Sequence, residues 1–275
     1  MEIGFHVSTS KGYPNALLIA KNIGATTFQF FPSNPRGNGR RDIPESEIVD
    51  FQDLRRKNNF ITLVSHAPYI INLASDKSHV VENGLEILKK DFERLNMLKV
   101  DRYVLHPGNH VGQGIDKGLN LIANHLNELL NENYSFYLCL ETMSGMGTEI
   151  GSKFEELAYL IEKINYPNIG VCLDTCHIYS AGYDIKNDYD NVIKDFDKVI
   201  GLDKLKVIHF NDTLKELGSN KDRHCPIGEG NLGLKTFKNF LIDERLKNIP
   251  VTLKTPNDIK GYEKEIKLLK GLKYE

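Results

Sequence analysis

Eight times along this sequence, a short run of apolar, β-branched or aromatic residues gives way to a longer stretch with helical periodicity. The runs are EIGFHVS (2–8), TTFQFF (26–31), ITLVSHA (61–67), DRYVLHP (101–107), SFYLCLET (135–142), IGVCLDT (169–175), LKVIHFND (205–212) and VTLKTP (251–256). Between them lie amphipathic segments such as NGLEILKKDFERLNML (83–98) and KFEELAYLIEKI (153–164). In the latter, Phe154, Leu157, Leu160, Ile161 and Ile164 recur on one face at the helical period. Strands that alternate with helices pair in parallel, because each crossover returns the chain through a helix. Eight units predict closure into a (β/α)8 TIM barrel. An open doubly wound sheet is the alternative, but no G-x-G-x-x-G follows the first run.

With 275 residues, 40% of them hydrophobic, the chain can fill one large core. No low-complexity tract or linker divides it, so residues 1–275 are expected to form a single domain. The net charge of −2 advertises no nucleic-acid binder, although binding needs a local basic face and not a basic average. Four cysteines, Cys139, Cys172, Cys176 and Cys225, make no CxxC pair and read as reduced, mostly buried thiols. MEIGFHVS lacks a signal-peptide layout, and no stretch approaches a membrane span. A cytoplasmic protein is expected, and a monomer, since no apolar stripe is left over for an interface.

In such barrels the active site collects at the C-terminal strand ends. The polar residues there are His6, His66, His106, Glu141, Asp174, His209 and Lys254. A lone histidine at a strand end is more often a simple hydrogen-bonding residue than a ligand. Carboxylates flanked by apolar residues, as in LCLET and VCLDT, are harder to dismiss, because burying one without a cation costs several kcal/mol. His, His, Glu, Asp and His at equivalent places on five strands form the ligand set of a multinuclear zinc-type site. DTCH adds His177, and the loop DRH offers Asp222 and His224, which together would make a third metal position. His79, His110 and His125 fall in helical or loop contexts and read as surface or packing residues.

GFHVS (4–8), VLHPG (104–108), LETMSGMGTEIG (140–151), CLDTCHIYSAGYD (172–184) and HFNDTLKELGSNKDRHCPIGEGNLG (209–233) resemble the endonuclease IV family of apurinic/apyrimidinic (AP) endonucleases. The resemblance spans essentially the whole chain, and its last two stretches are long and specific. It implies a zinc-dependent enzyme of base excision repair, acting on double-stranded DNA and hydrolysing the backbone 5′ to an abasic site. His66 and His106 would hold a first zinc, with Glu141 bridging to a second held by Asp174 and His209. His177, Asp222 and His224 would hold a third. Arg36, in the loop with Arg40 and Arg41, would enter the minor groove. Tyr69 and Ile70 would wedge into the stack beside a flipped-out nucleotide. Arg223, with Lys215 and Lys221, would contact phosphates.

One position departs from the family pattern. The last strand is expected to supply a glutamate to the second zinc, in a sequence like LETPN, and this chain reads LKTPN. Lys254 offers a positive charge where a carboxylate belongs, and beside zinc its pKa is expected to fall. It would ligate as a neutral amine, become a carbamate, swing away, or leave fewer than three zinc ions bound. Hydrolysis is expected to be reduced or lost on a preserved scaffold. A catalytically weak abasic-DNA-binding protein is the alternative, and a metal-dependent sugar isomerase or epimerase on the same barrel is more distant.

Overall fold

The computed structural model describes residues 1–34, 41–130 and 134–273. Its main sheet has eight strands: Ile3–Phe5, Phe28–Phe30, Leu63–His66, Arg102–Leu105, Tyr137–Glu141, Ile169–Asp174, Leu205–Phe210 and Val251–Leu253. All ladders between them are parallel, and neighbours in space follow chain order except that the eighth strand pairs with the first. The first and second strands meet through a single parallel bridge, His6 to Gln29, with Val7 N–H donating to the Gln29 carbonyl at 2.8 Å. The sheet thus comes round on itself as a nearly closed barrel, as the eightfold alternation requires. Gly4 permits this closure: a Cβ there would fall 2.0 Å from the Thr27 carbonyl oxygen.

Each strand is shorter than the apolar run that carries it. ITLVSHA yields Leu63–His66 with Pro68 just beyond, and DRYVLHP yields Arg102–Leu105 ahead of Pro107. Proline cannot donate to a ladder, so pairing stops and the chain turns into the loops of the mouth.

The helices form the outer layer. Ser78–Leu98 buries Val81, Ile87, Leu88, Phe92, Leu95 and Leu98 at three- and four-residue spacing. Burying each such side chain stabilises the fold by ~1.5–3 kcal/mol. Among the described residues, no helix is long and apolar enough to cross a membrane.

Inside the barrel, Val64, Val104, Cys139, Cys172 and Val207 pack into a small apolar cluster. Two residues further along each of those chains stand His66, His106, Glu141, Asp174 and His209. Side chains alternate faces along a strand, so residues i and i+2 point the same way. The inward face of five strands therefore carries an apolar floor and, one step towards the C-terminal end, a layer of ligand-type side chains.

Candidate metal centre

Glu141, fully buried at the end of the fifth strand, is the hub. His66 Nε2 and His106 Nε2 each lie 3.0 Å from its Oε2, and His209 Nδ1 lies 2.8 Å from its Oε1. Asp174 works with both oxygens. Oδ1 caps the helix Thr175–Ser180, accepting from the N–H groups of Cys176 and His177 at 2.9 and 3.1 Å. Oδ2 faces His209 Nδ1 and His224 Nε2, each at 3.8 Å, and accepts from Asn211 Nδ2 at 2.7 Å. Asp222 stands between His177 Nε2, at 3.4 Å, and His224 Nε2, at 3.0 Å. A two-residue antiparallel pairing of Asp212–Thr213 with His224–Cys225 holds that last ring in place.

Three of the imidazole rings are held in the same manner. His66 Nδ1 is 2.7 Å from the Ala67 carbonyl, His177 Nδ1 is 2.8 Å from the Thr142 carbonyl, and His209 Nε2 is 2.7 Å from Gln29 Oε1. In each, the outer nitrogen meets an oxygen acceptor while the inner nitrogen faces a carboxylate. A neutral imidazole has one N–H, so such a ring is satisfied when its outer nitrogen donates and a cation sits on the inner lone pair. His106 Nε2 and His224 Nε2 are buried without hydrogen-bond geometry, although each is 3.0 Å from a carboxylate oxygen. These orphaned nitrogens fit metal ligation. The donor atoms of His66, His106 and Glu141 gather within 4.8 Å of one another, as do those of Asp174, His177 and His224. Cys172 approaches Glu141 and His209 in the same way, and Cys176 approaches Asp222 and His224.

Lys254 enters this cluster from the eighth strand's end. Its Nζ lies 3.1 Å from His66 Nε2 and 3.5 Å from Glu141 Oε1. Burial would lower its pKa, but Glu141 together with Tyr69, Asp174 and Cys172 outweighs burial and holds it above the ordinary lysine range. Glu141 moves the opposite way: burial would raise it, and Lys254 with the histidines holds it well below the usual carboxylate range. Burial and then Lys254 push His66 well down. At the other end of the cluster, burial opposes protonation of His224, but Asp174 and Asp222 prevail and raise it to about 10.

The cluster opens into a cleft of about 730 Å³ lined by His6, Phe31, Tyr69, His106, Lys254 and others. Tyr69 is 51% exposed and Ile70 40%, and the Tyr69 ring lies 5.3 Å from that of His66 and 5.4 Å from that of His106. Arg223 is exposed, its guanidinium donating to the Asp222 carbonyl at 2.8 Å. Lys221 is exposed and Lys215 half-buried. Arg36 and Arg40 lie outside the described residues, and Arg41 pairs with Glu47. His6 stays out of the ligand cluster and hydrogen-bonds with Gln29. His125 has a packing role, its Nδ1 meeting the Leu73 carbonyl at 2.9 Å.

Sequence reasoning missed the supporting shell. Gln29, Thr142 and Asn211 orient His209, His177 and Asp174. For Gln29 a signal existed, an amide inside the aromatic run TTFQFF.

Comparison with known proteins places this architecture. A family model described as xylose isomerase-like TIM barrel matches residues 17–272. A protein of Methanosphaera stadtmanae called probable endonuclease 4 is 47% identical over 271 residues, covering 98% of each chain. The crystal structure of endonuclease IV from Thermus thermophilus has a TM-score of 0.89 at 31% identity, covering 99% of this chain and 98% of that one. A D-tagatose 3-epimerase-like protein, at 21% identity and a TM-score of 0.76 over 99% of this chain and 97% of that one, shares the fold alone.

Proposed function

The chain belongs to the endonuclease IV family of nucleases, and we propose that it recognises abasic sites in double-stranded DNA and hydrolyses the phosphodiester on their 5′ side. The observation that carries this reading is the arrangement of rings around Glu141, Asp174 and Asp222, each inner nitrogen aimed at a carboxylate. His66, His106 and Glu141 would hold one zinc. Glu141, Asp174 and His209 would hold a second, and His177, Asp222 and His224 a third. Histidine-rich ligation favours zinc over magnesium. When bound, zinc supplies Lewis acidity, lowering the pKa of water and offsetting charge on a phosphate.

The chain's own groups do the rest. Ala67, Thr142 and Gln29 fix the rings, and Asn211 fixes the Asp174 carboxylate. Tyr69 and Ile70, exposed at the rim, fill the gap left when an abasic nucleotide leaves the stack. Arg223, exposed on the loop that carries Asp222 and His224, would contact a phosphate, and Arg36 would enter the groove. Water adds across the phosphorus–oxygen bond, leaving a 3′-hydroxyl and a 5′-deoxyribose phosphate.

Lys254 favours a second reading. An ammonium 3.1 Å from His66 Nε2 competes for a ligand of the first zinc and withholds a carboxylate from the second. The chain would then occupy abasic sites while cutting them slowly. A sugar isomerase or epimerase reading rests on the shared fold and nothing else. The test is incision of a duplex bearing one tetrahydrofuran abasic analogue beside its undamaged counterpart. Incision 5′ to the analogue supports the endonuclease; tight binding of the lesion without incision supports the second reading; indifference to the lesion contradicts both.

A further inference from the structure

Gln29, on the second strand, is fully buried beneath the cluster and belongs to none of the expected ligand sets. Its Oε1 accepts from His209 Nε2 at 2.7 Å and lies 3.4 Å from the Thr252 hydroxyl. Its amide nitrogen lies 3.3 Å from His6 Nδ1. With the amide oxygen facing His209 and the Thr252 hydroxyl, the amide nitrogen is left to donate to His6. The backbone bridge between His6 and Gln29 that closes the barrel also brings these side chains together.

His209 is held between two acceptors, Gln29 Oε1 on Nε2 and Glu141 Oε1 on Nδ1. If its one N–H is committed to Gln29, the Nδ1 lone pair points at the space shared by Glu141 and Asp174. We propose that Gln29 is a positioning residue for the second metal position. It keeps His209 in the Nε2–H form, and His6 anchors the far end of the amide so that it does not turn round. The inference rests on the metal-centre reading above. It bears on this chain in particular, because Lys254 removes an expected carboxylate and leaves Glu141, Asp174 and His209 to hold that metal. Correct presentation of one ring then matters more.

Zinc titration against a chromophoric chelator tests this in the natural chain and, beside it, in the Lys254→Glu background. Gln29→Leu should weaken one metal equivalent by about 10–100-fold, the usual effect of losing a partner behind a ligand, and leave the others unchanged. Gln29→Glu keeps the oxygen acceptor and should bind that equivalent at least as tightly as the parent. His6→Phe should weaken the same equivalent, by less. A purely structural role would move the melting temperature of Gln29→Leu and Gln29→Glu alike without singling out one metal. Retention of every equivalent by Gln29→Leu in both backgrounds overturns the proposal, as does a Gln29→Glu chain that loses metal. Should Gln29→Leu fail to fold, Gln29→Glu and His6→Phe decide. If neither parent chain binds zinc, the metal-centre reading itself falls and takes this inference with it.

Discussion

Lys254 Nζ lies 3.1 Å from His66 Nε2 and 3.5 Å from Glu141 Oε1, so the chain places a cation of its own among groups arranged to hold one. The His66 ring donates through Nδ1 to the Ala67 carbonyl, which leaves Nε2 as an acceptor for the ammonium. Glu141, itself with no solvent exposure, is kept ionised by Lys254 and the histidine rings around it. The lysine thus meets the same atoms that a metal would use. A metal held by His66 and Glu141 would compete with the Lys254 ammonium for those atoms.

The metal-free chain should lose stability as pH rises from neutrality. His224 is raised from 6.5 to about 10, so its protonated form contributes stability that is fully present below pH 6.5 and lost as pH climbs through 10. Asp222 is shifted down: burial opposes this, but the adjacent His177 and His224 rings prevail. Its contribution is present above the unfolded carboxylate range and lost only as pH falls through its depressed folded value. Thermal melts of the chelator-treated protein should therefore show a falling midpoint between pH 6.5 and 10. Zinc affinity should rise over that window, because ligation displaces those protons. A midpoint independent of pH there would remove the His224–Asp222 pairing from the account.

Tyr69→Ala should weaken binding of an abasic-analogue duplex by roughly 10–100-fold, since an aromatic platform is worth ~1–3 kcal/mol per base. The ring is 51% exposed, so its loss should leave the melting temperature almost unchanged. Fluorescence anisotropy with lesion and undamaged duplexes reads the effect, and equal weakening of both would argue against a role at the lesion.

Asp212 accepts from the backbone N–H groups of Thr213, Gly228, Gly230, Leu232 and Gly233. Removing it orphans several donors, of which the Thr213 and Leu232 N–H groups are buried. Asp212→Ala should cost about 2–4 kcal/mol in denaturant unfolding. Asp212→Asn, which keeps one oxygen, should cost less; equal costs would show that the carboxylate is not what ties the loop down.

Much of this molecule was legible in its sequence, for physical reasons. Strand–helix alternation fixes parallel pairing, and period-two placement puts Glu141 above Cys139 and His209 above Val207 inside the barrel. The gathering of His66, His106 and Glu141 followed from strand-end position alone. The residues behind the ligands did not. Gln29 meets His209 across 180 positions of sequence, and only the closure of the barrel brings them together. Nor could the sequence give the direction in which Lys254 titrates without metal, because that depends on how near Glu141 comes.

Zinc stoichiometry is the most direct test of the competition between Lys254 and the metal centre, measured on the natural chain and on Lys254→Glu purified in parallel, with incision of the abasic-analogue duplex scored on the same samples. The account predicts fewer than three tightly bound zinc ions and slow incision for the natural chain, with both restored by Lys254→Glu. Three tightly held zinc ions and rapid incision by the natural chain would contradict it, because Lys254 would then be no obstacle to the metals at all.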